Sequence, residues 1–132
     1  MIAAGTSAIV AIIQEEPECE AFLELIRNAD SVYFSAVSLL EAGMVLRSRR
    51  GPGAEAELAG IIDGMGIEIV PFDAPLARLA LQAFERYGKG NHSKARLNLG
   101  DCAAYALAKS KNVRLLYKGT DFASTDIESA AA

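Results

Sequence analysis

The chain has 132 residues, enough for one domain with a sizeable core and too few for two independent ones. Its 52% hydrophobic and 23% charged residues exclude a disordered chain, and no apolar run reaches the roughly 18 residues of a membrane span. The formal charge of -4, from 17 acids against 13 bases, argues at first against a nucleic-acid partner.

The elements alternate along the chain. Short apolar runs predict strands at Ile2–Ala4, Val32–Phe34, Glu68–Pro71 and Arg114–Tyr117. Amphipathic patterns predict helices at Ser7–Gln14, Glu18–Asn28, Leu39–Arg49, Ala54–Asp63, Ala74–Tyr87 and Asp101–Ser110. Strands separated by helices of this length imply a mainly parallel sheet covered on both faces, a three-layer α/β/α domain. No repeat or linker interrupts the pattern, so a single domain over 1–132 is expected. Met1 to Ile13, the longest apolar run, lacks the basic start and small-residue cleavage site of a signal peptide, and a cytoplasmic protein is expected.

The reactive groups are few. His92 is the one histidine, and Cys19 and Cys102 have no CxxC spacing, so zinc and thioredoxin-type readings fail and a disulfide is not expected. Carboxylates remain. In a parallel sheet the site belongs at the carboxyl ends of the strands. Glu41 lies one turn into the helix after the second strand, Asp101 opens the helix before the fourth, and Asp121 follows that fourth strand. The three can converge on one end of the sheet, whereas Glu15, Glu16, Glu18, Glu20 and Glu24 read as solvated surface. Structural roles compete for each: Ser38 with Glu41 matches a capping box, Asp101 an N-cap, and Asp121 a turn. Brought together without basic partners, three carboxylates repel one another unless a cation offsets them, and an oxygen-only donor set suits Mg²⁺ or Mn²⁺.

Four segments then carry a resemblance: MIAAGTSAIV at 1–10, SLLE at 38–41, RLNLGDC at 96–102 with YALA at 105–108, and LYKGTDF at 116–122 followed by TD at 125–126. In order and spacing, from residue 1 to about 127, they resemble the PIN-domain ribonucleases of the VapC toxin type. The resemblance implies a PIN-like domain and a metal-dependent endoribonuclease, the toxin of a toxin–antitoxin pair. Glu41, Asp101 and Asp121 would be its acidic residues around Mg²⁺ or Mn²⁺, with Asp101 a direct ligand and the Thr6 hydroxyl lining the pocket. Asn98 would orient its neighbours, and Asp126 is a further supporting position. Cleavage would leave a 5′-phosphate and a 3′-hydroxyl on structured RNA of the transfer or ribosomal class. The protein would pair with a VapB-type antitoxin, seated in a groove formed by the helices after the first two strands, and form a homodimer. Phe22, Leu40 and Met44 are candidates for those surfaces or for the core.

One position departs from the pattern. The family's Asp-Thr-Ser at the end of the first strand reads Gly5-Thr6-Ser7, so the first acidic ligand is missing. An impaired or inactive enzyme is expected, since even residues behind the ligands commonly matter 10- to 100-fold. The intact neighbouring motifs favour a deliberate disarming substitution over natural drift. A glycine demanded by the backbone is the structural alternative.

RNA contact needs cations, and Arg86, Lys89, Lys94 and Arg96 form an acid-free run leading into Asp101. Gly88, Gly90, Asn91 and His92 make this a loop, with His92 a surface or RNA-contacting residue. The same run also reads as a solvated linker. Two rival functions stand: a catalytically silent PIN scaffold binding only RNA or antitoxin, and a phosphoacceptor receiver domain. The latter needs an acidic pair after the first strand, where Gly5 stands.

Overall fold

The computed structural model describes residues 1–131 of the chain. Four parallel strands, β1 (Ile2–Ala4), β2 (Val32–Ser35), β3 (Glu68–Val70) and β4 (Arg114–Leu116), form one sheet in the order β3-β2-β1-β4. Six helices surround it: α1 (Thr6–Ile13), α2 (Cys19–Asn28), α3 (Ala36–Arg50), α4 (Ala54–Gly64), α5 (Ala74–Tyr87) and α6 (Leu99–Lys111). The expected three-layer α/β/α architecture is present.

Register explains the layers. Ala3 faces Tyr33 and Leu115 across the ladder, while Ala4 faces Phe34 and Leu116, so the two sets point to opposite faces. Ala4, Phe34 and Leu116 pack with Ile9, Ile12, Phe22, Leu46 and Leu58 of α1–α4. Ala3 and Leu115 pack with Ala80, Ala83, Cys102 and Leu107 of α5 and α6. Phe22 thus belongs to the core.

Most elements fall within a residue or two of their predicted bounds, and the larger differences arise at caps. α3 begins three residues early because Ser35 caps it, its hydroxyl accepting from Val37 N at 3.1 Å. The Ser38–Glu41 capping box is therefore not formed, and Ser38 is buried instead. α6 likewise begins at Leu99 because Asn98 is its cap. Beyond β4 the chain returns along its edge: Leu115 N donates to Glu128 O at 3.0 Å and Ala130 N to Leu115 O at 2.9 Å. This covers an edge that would otherwise expose unpaired backbone groups.

Connections from β1 through β2 to β3 proceed in one direction, and the connection to β4 then crosses to the far side of β1. The reversal opens a crevice at the carboxyl ends of β1 and β4, where open α/β sheets bind their ligands. Gly5 to Ser7 and Tyr117 to Asp121 lie there.

Candidate active site

Backbone pairing fixes the floor of this crevice. Gly5 N donates to Leu116 O at 2.9 Å, and Lys118 N donates to the Ser7 hydroxyl at 2.9 Å, so the start of α1 is tied to the end of β4. Phe122, buried against Tyr117 with ring centroids 5.0 Å apart, anchors the segment that carries Asp121. Over this floor lies a cleft of about 440 Å³ lined by Thr6, Ser7, Glu16, Glu41, Asn98, Asp101, Lys118 and Asp121, with Val10, Val45 and Arg49.

Asp101 is held by its own helix start. Asn98 Oδ1 accepts from Asp101 N at 2.9 Å, and Asp101 Oδ2 accepts from Asn98 N at 3.1 Å, a reciprocal capping box. Asp101 is therefore the third helical residue and Asn98 the cap. Burial pushes the Asp101 carboxyl up to about 6 despite the Asn98 hydrogen bond, and the charges of Asp121 and Glu41 add to the rise. The charges of Glu41 and Asp121 thus both reach Asp101. Glu41 comes from α3 and rests against Gly100, where a Cβ would run into its carboxylate. Gly100 is a site residue that the sequence reading missed, and nothing short of the α3–α6 approach reveals it.

Thr6 and Gly5 form the other wall. The Thr6 hydroxyl is buried with no hydrogen-bond partner among the described residues. Gly5 caps α1 with φ -89° and ψ 168°, an extended conformation open to any residue, and no side chain caps the helix. A Cβ at Gly5 would meet Leu116 O at 3.6 Å and Tyr117 Cβ at 4.0 Å, ordinary contacts. The backbone does not demand glycine here, which removes the structural alternative for this residue.

Among the described residues, no three His, Cys, Asp or Glu side chains come close enough to cage an ion by themselves. The carboxylates and Thr6 are nevertheless hard oxygen donors around one cleft. Such a spread set suits Mg²⁺, which keeps several waters and binds through one or two carboxylates plus substrate phosphates.

Other predicted positions fall elsewhere. Tyr105 OH donates to Asp126 Oδ1 at 2.6 Å, and Lys109 Nζ lies 2.8 Å from Asp126 Oδ2, so Asp126 fastens the C-terminal segment to α6 outside the cleft. Burial pushes its carboxyl up, but the Lys109 and Tyr105 hydrogen bonds outweigh this and hold it below its usual value. Arg86, Lys89, Lys94 and Arg96 are exposed, unpaired among the described residues, and absent from the cleft lining. The Arg86 guanidinium lies 4.8 Å from the centre of the Tyr87 ring. His92 Nδ1 accepts from Lys94 N at 3.0 Å and Ala95 N at 2.9 Å, which engages that nitrogen in shaping the loop. Cys102 is buried in the α6 core, and burial raises its thiol to about 11, an inert packing group.

Glu16 and Glu18 are not free surface. Lys118 Nζ lies 2.6 Å from Glu16 Oε1 and 3.3 Å from Glu18 Oε1, and the Glu16 hydrogen bond is the main cause holding the ammonium above its usual range. Glu16 also lines a separate groove of about 910 Å³ between α1–α2 and α4, with Ile12, Leu23, Ile61 and Met65.

A parallel sheet with a switch-point cleft of carboxylates is the architecture expected of a PIN-type domain, and residues 5–128 match the PIN domain family model. Ribonuclease VapC28 of Mycobacterium tuberculosis is 40% identical over 125 residues, covering 95% of this chain and 94% of that one. Ribonuclease VapC30 of the same organism is 40% identical over 127 residues, covering 96% and 95%. The chain belongs to the PIN-domain family, among its VapC ribonucleases, and is by family a nuclease. The fold also matches the crystal structure of M. tuberculosis VapC20, with TM-score 0.79 and 19% identity over 96% of each chain. VapBC2 from Rickettsia felis matches with TM-score 0.73 and 20% identity, covering 98% of this chain and 96% of that one.

Proposed function

We propose that the chain is a Mg²⁺- or Mn²⁺-dependent endoribonuclease toxin in which Gly5 has removed one acidic ligand, leaving activity impaired or absent. The observation that carries this is the cleft itself: Glu41, Asp101 and Asp121 converge beside the unpartnered Thr6 hydroxyl, and Asp101 feels both other charges. Glu41, Asp101 and Asp121 would hold the ion, one or two of them directly and the rest through water. When bound, the ion supplies Lewis acidity, lowering the pKa of water and neutralising charge on a phosphodiester. Asn98 fixes the Asp101 carboxylate through the capping box, and Gly100 leaves the Glu41 carboxylate room. The Thr6 hydroxyl is free to donate into the cleft. Structured RNA of the ribosomal or transfer class is the proposed substrate, and VapC20 is described as a sarcin-ricin loop cleaving toxin.

Cleavage of structured RNA with Mn²⁺ by this chain and by Gly5→Asp tests the reading. Restored cleavage in Gly5→Asp is expected, and equal activity in the two would sink it. Gly5 also favours a second reading, a silent scaffold; Gly5→Asp remaining inactive while binding RNA would favour that one.

A VapB-type antitoxin is the proposed partner, as the names of toxin–antitoxin neighbours suggest. The groove between α1–α2 and α4 offers an apolar floor with acidic Glu15, Glu16 and Glu20 alongside, suited to a helix carrying basic residues. Leu40, Met44 and Leu99, 64%, 64% and 79% exposed, line an apolar surface beside Glu41 that supports the homodimer reading. The cytoplasm is the proposed compartment; among the described residues no helix is long and apolar enough to cross a membrane.

A further inference from the structure

Three arginines close α3, and their charges meet different fates. Arg47 Nη1 lies 3.0 Å from Glu55 Oε1 and Arg50 Nη2 lies 3.1 Å from Glu57 Oε2, both partners on α4. Arg49 turns the other way: its Nη1 donates to Gln14 Oε1 at 2.7 Å, and it forms no ion pair among the described residues. Gln14 is neutral, so it orients the guanidinium without cancelling the charge. Of the three, Arg49 alone lines the carboxylate cleft. Lys118, the other cation there, is already neutralised by Glu16 and Glu18. Arg49 is thus the uncompensated cation of a cleft otherwise dominated by acids.

Geometry adds a direction. Glu41, Val45 and Arg49 follow one another at four-residue spacing on α3 and all line the cleft. Eight residues of helix span about 12 Å along the axis. The guanidinium is therefore displaced from the carboxylates along the cleft. One of its five N–H donors serves Gln14, and the others remain for a phosphate, which a guanidinium binds through two parallel hydrogen bonds.

We propose that Arg49, buttressed by Gln14, is a substrate-positioning residue that binds an RNA backbone phosphate flanking the scissile one. The inference rests on the RNA-cleaving reading above and names the cleft wall along which the strand runs, independently of the loop at 86–96.

Fluorescein-labelled unfractionated transfer RNA, titrated with the full chain in EDTA and followed by anisotropy over a salt series, tests it without turnover. Arg49→Gln should weaken binding about 10-fold and reduce the slope of log affinity against log salt by about one. Arg49→Lys should recover the slope, and Arg47→Gln should change neither. Thermal melting should show all variants folded, because Arg49 is exposed. Unchanged affinity and slope in Arg49→Gln, beside a wild-type chain that binds, would overturn the assignment while leaving the RNA reading intact. An equal loss in Arg47→Gln would overturn it too, as bulk charge. A wild-type chain that binds no RNA would bring down the underlying reading and this inference together.

Discussion

On the α6 side of the cleft the polar groups are engaged: Asn98 and Asp101 satisfy each other, and Glu41 lies against Gly100. On the β1 side the Thr6 hydroxyl is buried without a partner and residue 5 contributes no side chain. One wall is organised by local helix chemistry, so it stands whether or not anything binds. The other is organised by strand pairing and by the Ser7 hydroxyl that accepts from Lys118 N, and it leaves the Thr6 hydroxyl unsatisfied among the described residues. The difference teaches that the two walls of one cleft are positioned by separate interactions, the α6 wall by its own helix start and the β1 wall by its ties to β4.

The sharpest way to break this contrast is to complete the poorer wall. Gly5→Asp should tighten Mn²⁺ binding, measured by calorimetry, by at least about 10-fold. No change would mean that a side chain at residue 5 does not reach the ion. Next in size, Gly100→Ala attacks the better wall by driving a methyl group into the Glu41 carboxylate. A loss of about 1–3 kcal/mol in urea unfolding is expected, together with weaker Mn²⁺ binding. Retention of both would show that Glu41 moves aside freely.

Asp101→Asn removes the strained charge while keeping an acceptor for Asn98 N. A carboxyl at about 6 in the fold, against about 3.9 unfolded, holds its proton more tightly when folded. Its ionisation therefore destabilises the fold increasingly from pH 4 to pH 6 and fully above that. Asp101→Asn should thus be more stable than wild type by about 1–2 kcal/mol at pH 7 and equal to it below pH 4. A variant less stable at pH 7 would contradict the cause assigned to the shift. Smallest, Asn98→Ala should lose about 1 kcal/mol through its cap, with a local rise in amide exchange at the start of α6. Exchange unchanged there would show that Asp101 alone secures the helix start.

Much of this was legible in the sequence because it depends on local pattern. Alternating apolar runs placed every strand, and the strand-end rule brought Glu41, Asp101 and Asp121 to one rim, which the structure reproduces as one cleft. The misses share a physical cause. Ser35 rather than Ser38 caps α3 because the cap is decided by where the backbone leaves the extended region, which no residue type announces. Gly100, the Lys118–Glu16 pair and the Arg49–Gln14 hydrogen bond join residues 35 to 102 positions apart, or helices that meet only in the fold. Asp126, a supporting position only by the resemblance, is held outside the cleft by Tyr105 and Lys109 on α6.

The open, extended backbone at Gly5 has a consequence for variation. A Cβ added there meets only ordinary contacts, so the strand end accommodates a side chain without clash. The fold therefore sets no steric barrier to a Cβ at residue 5. The side chain at residue 5 can therefore be changed while the β1–β4 pairing beneath it stays as it is, which makes this position a place where the cleft varies independently of the sheet.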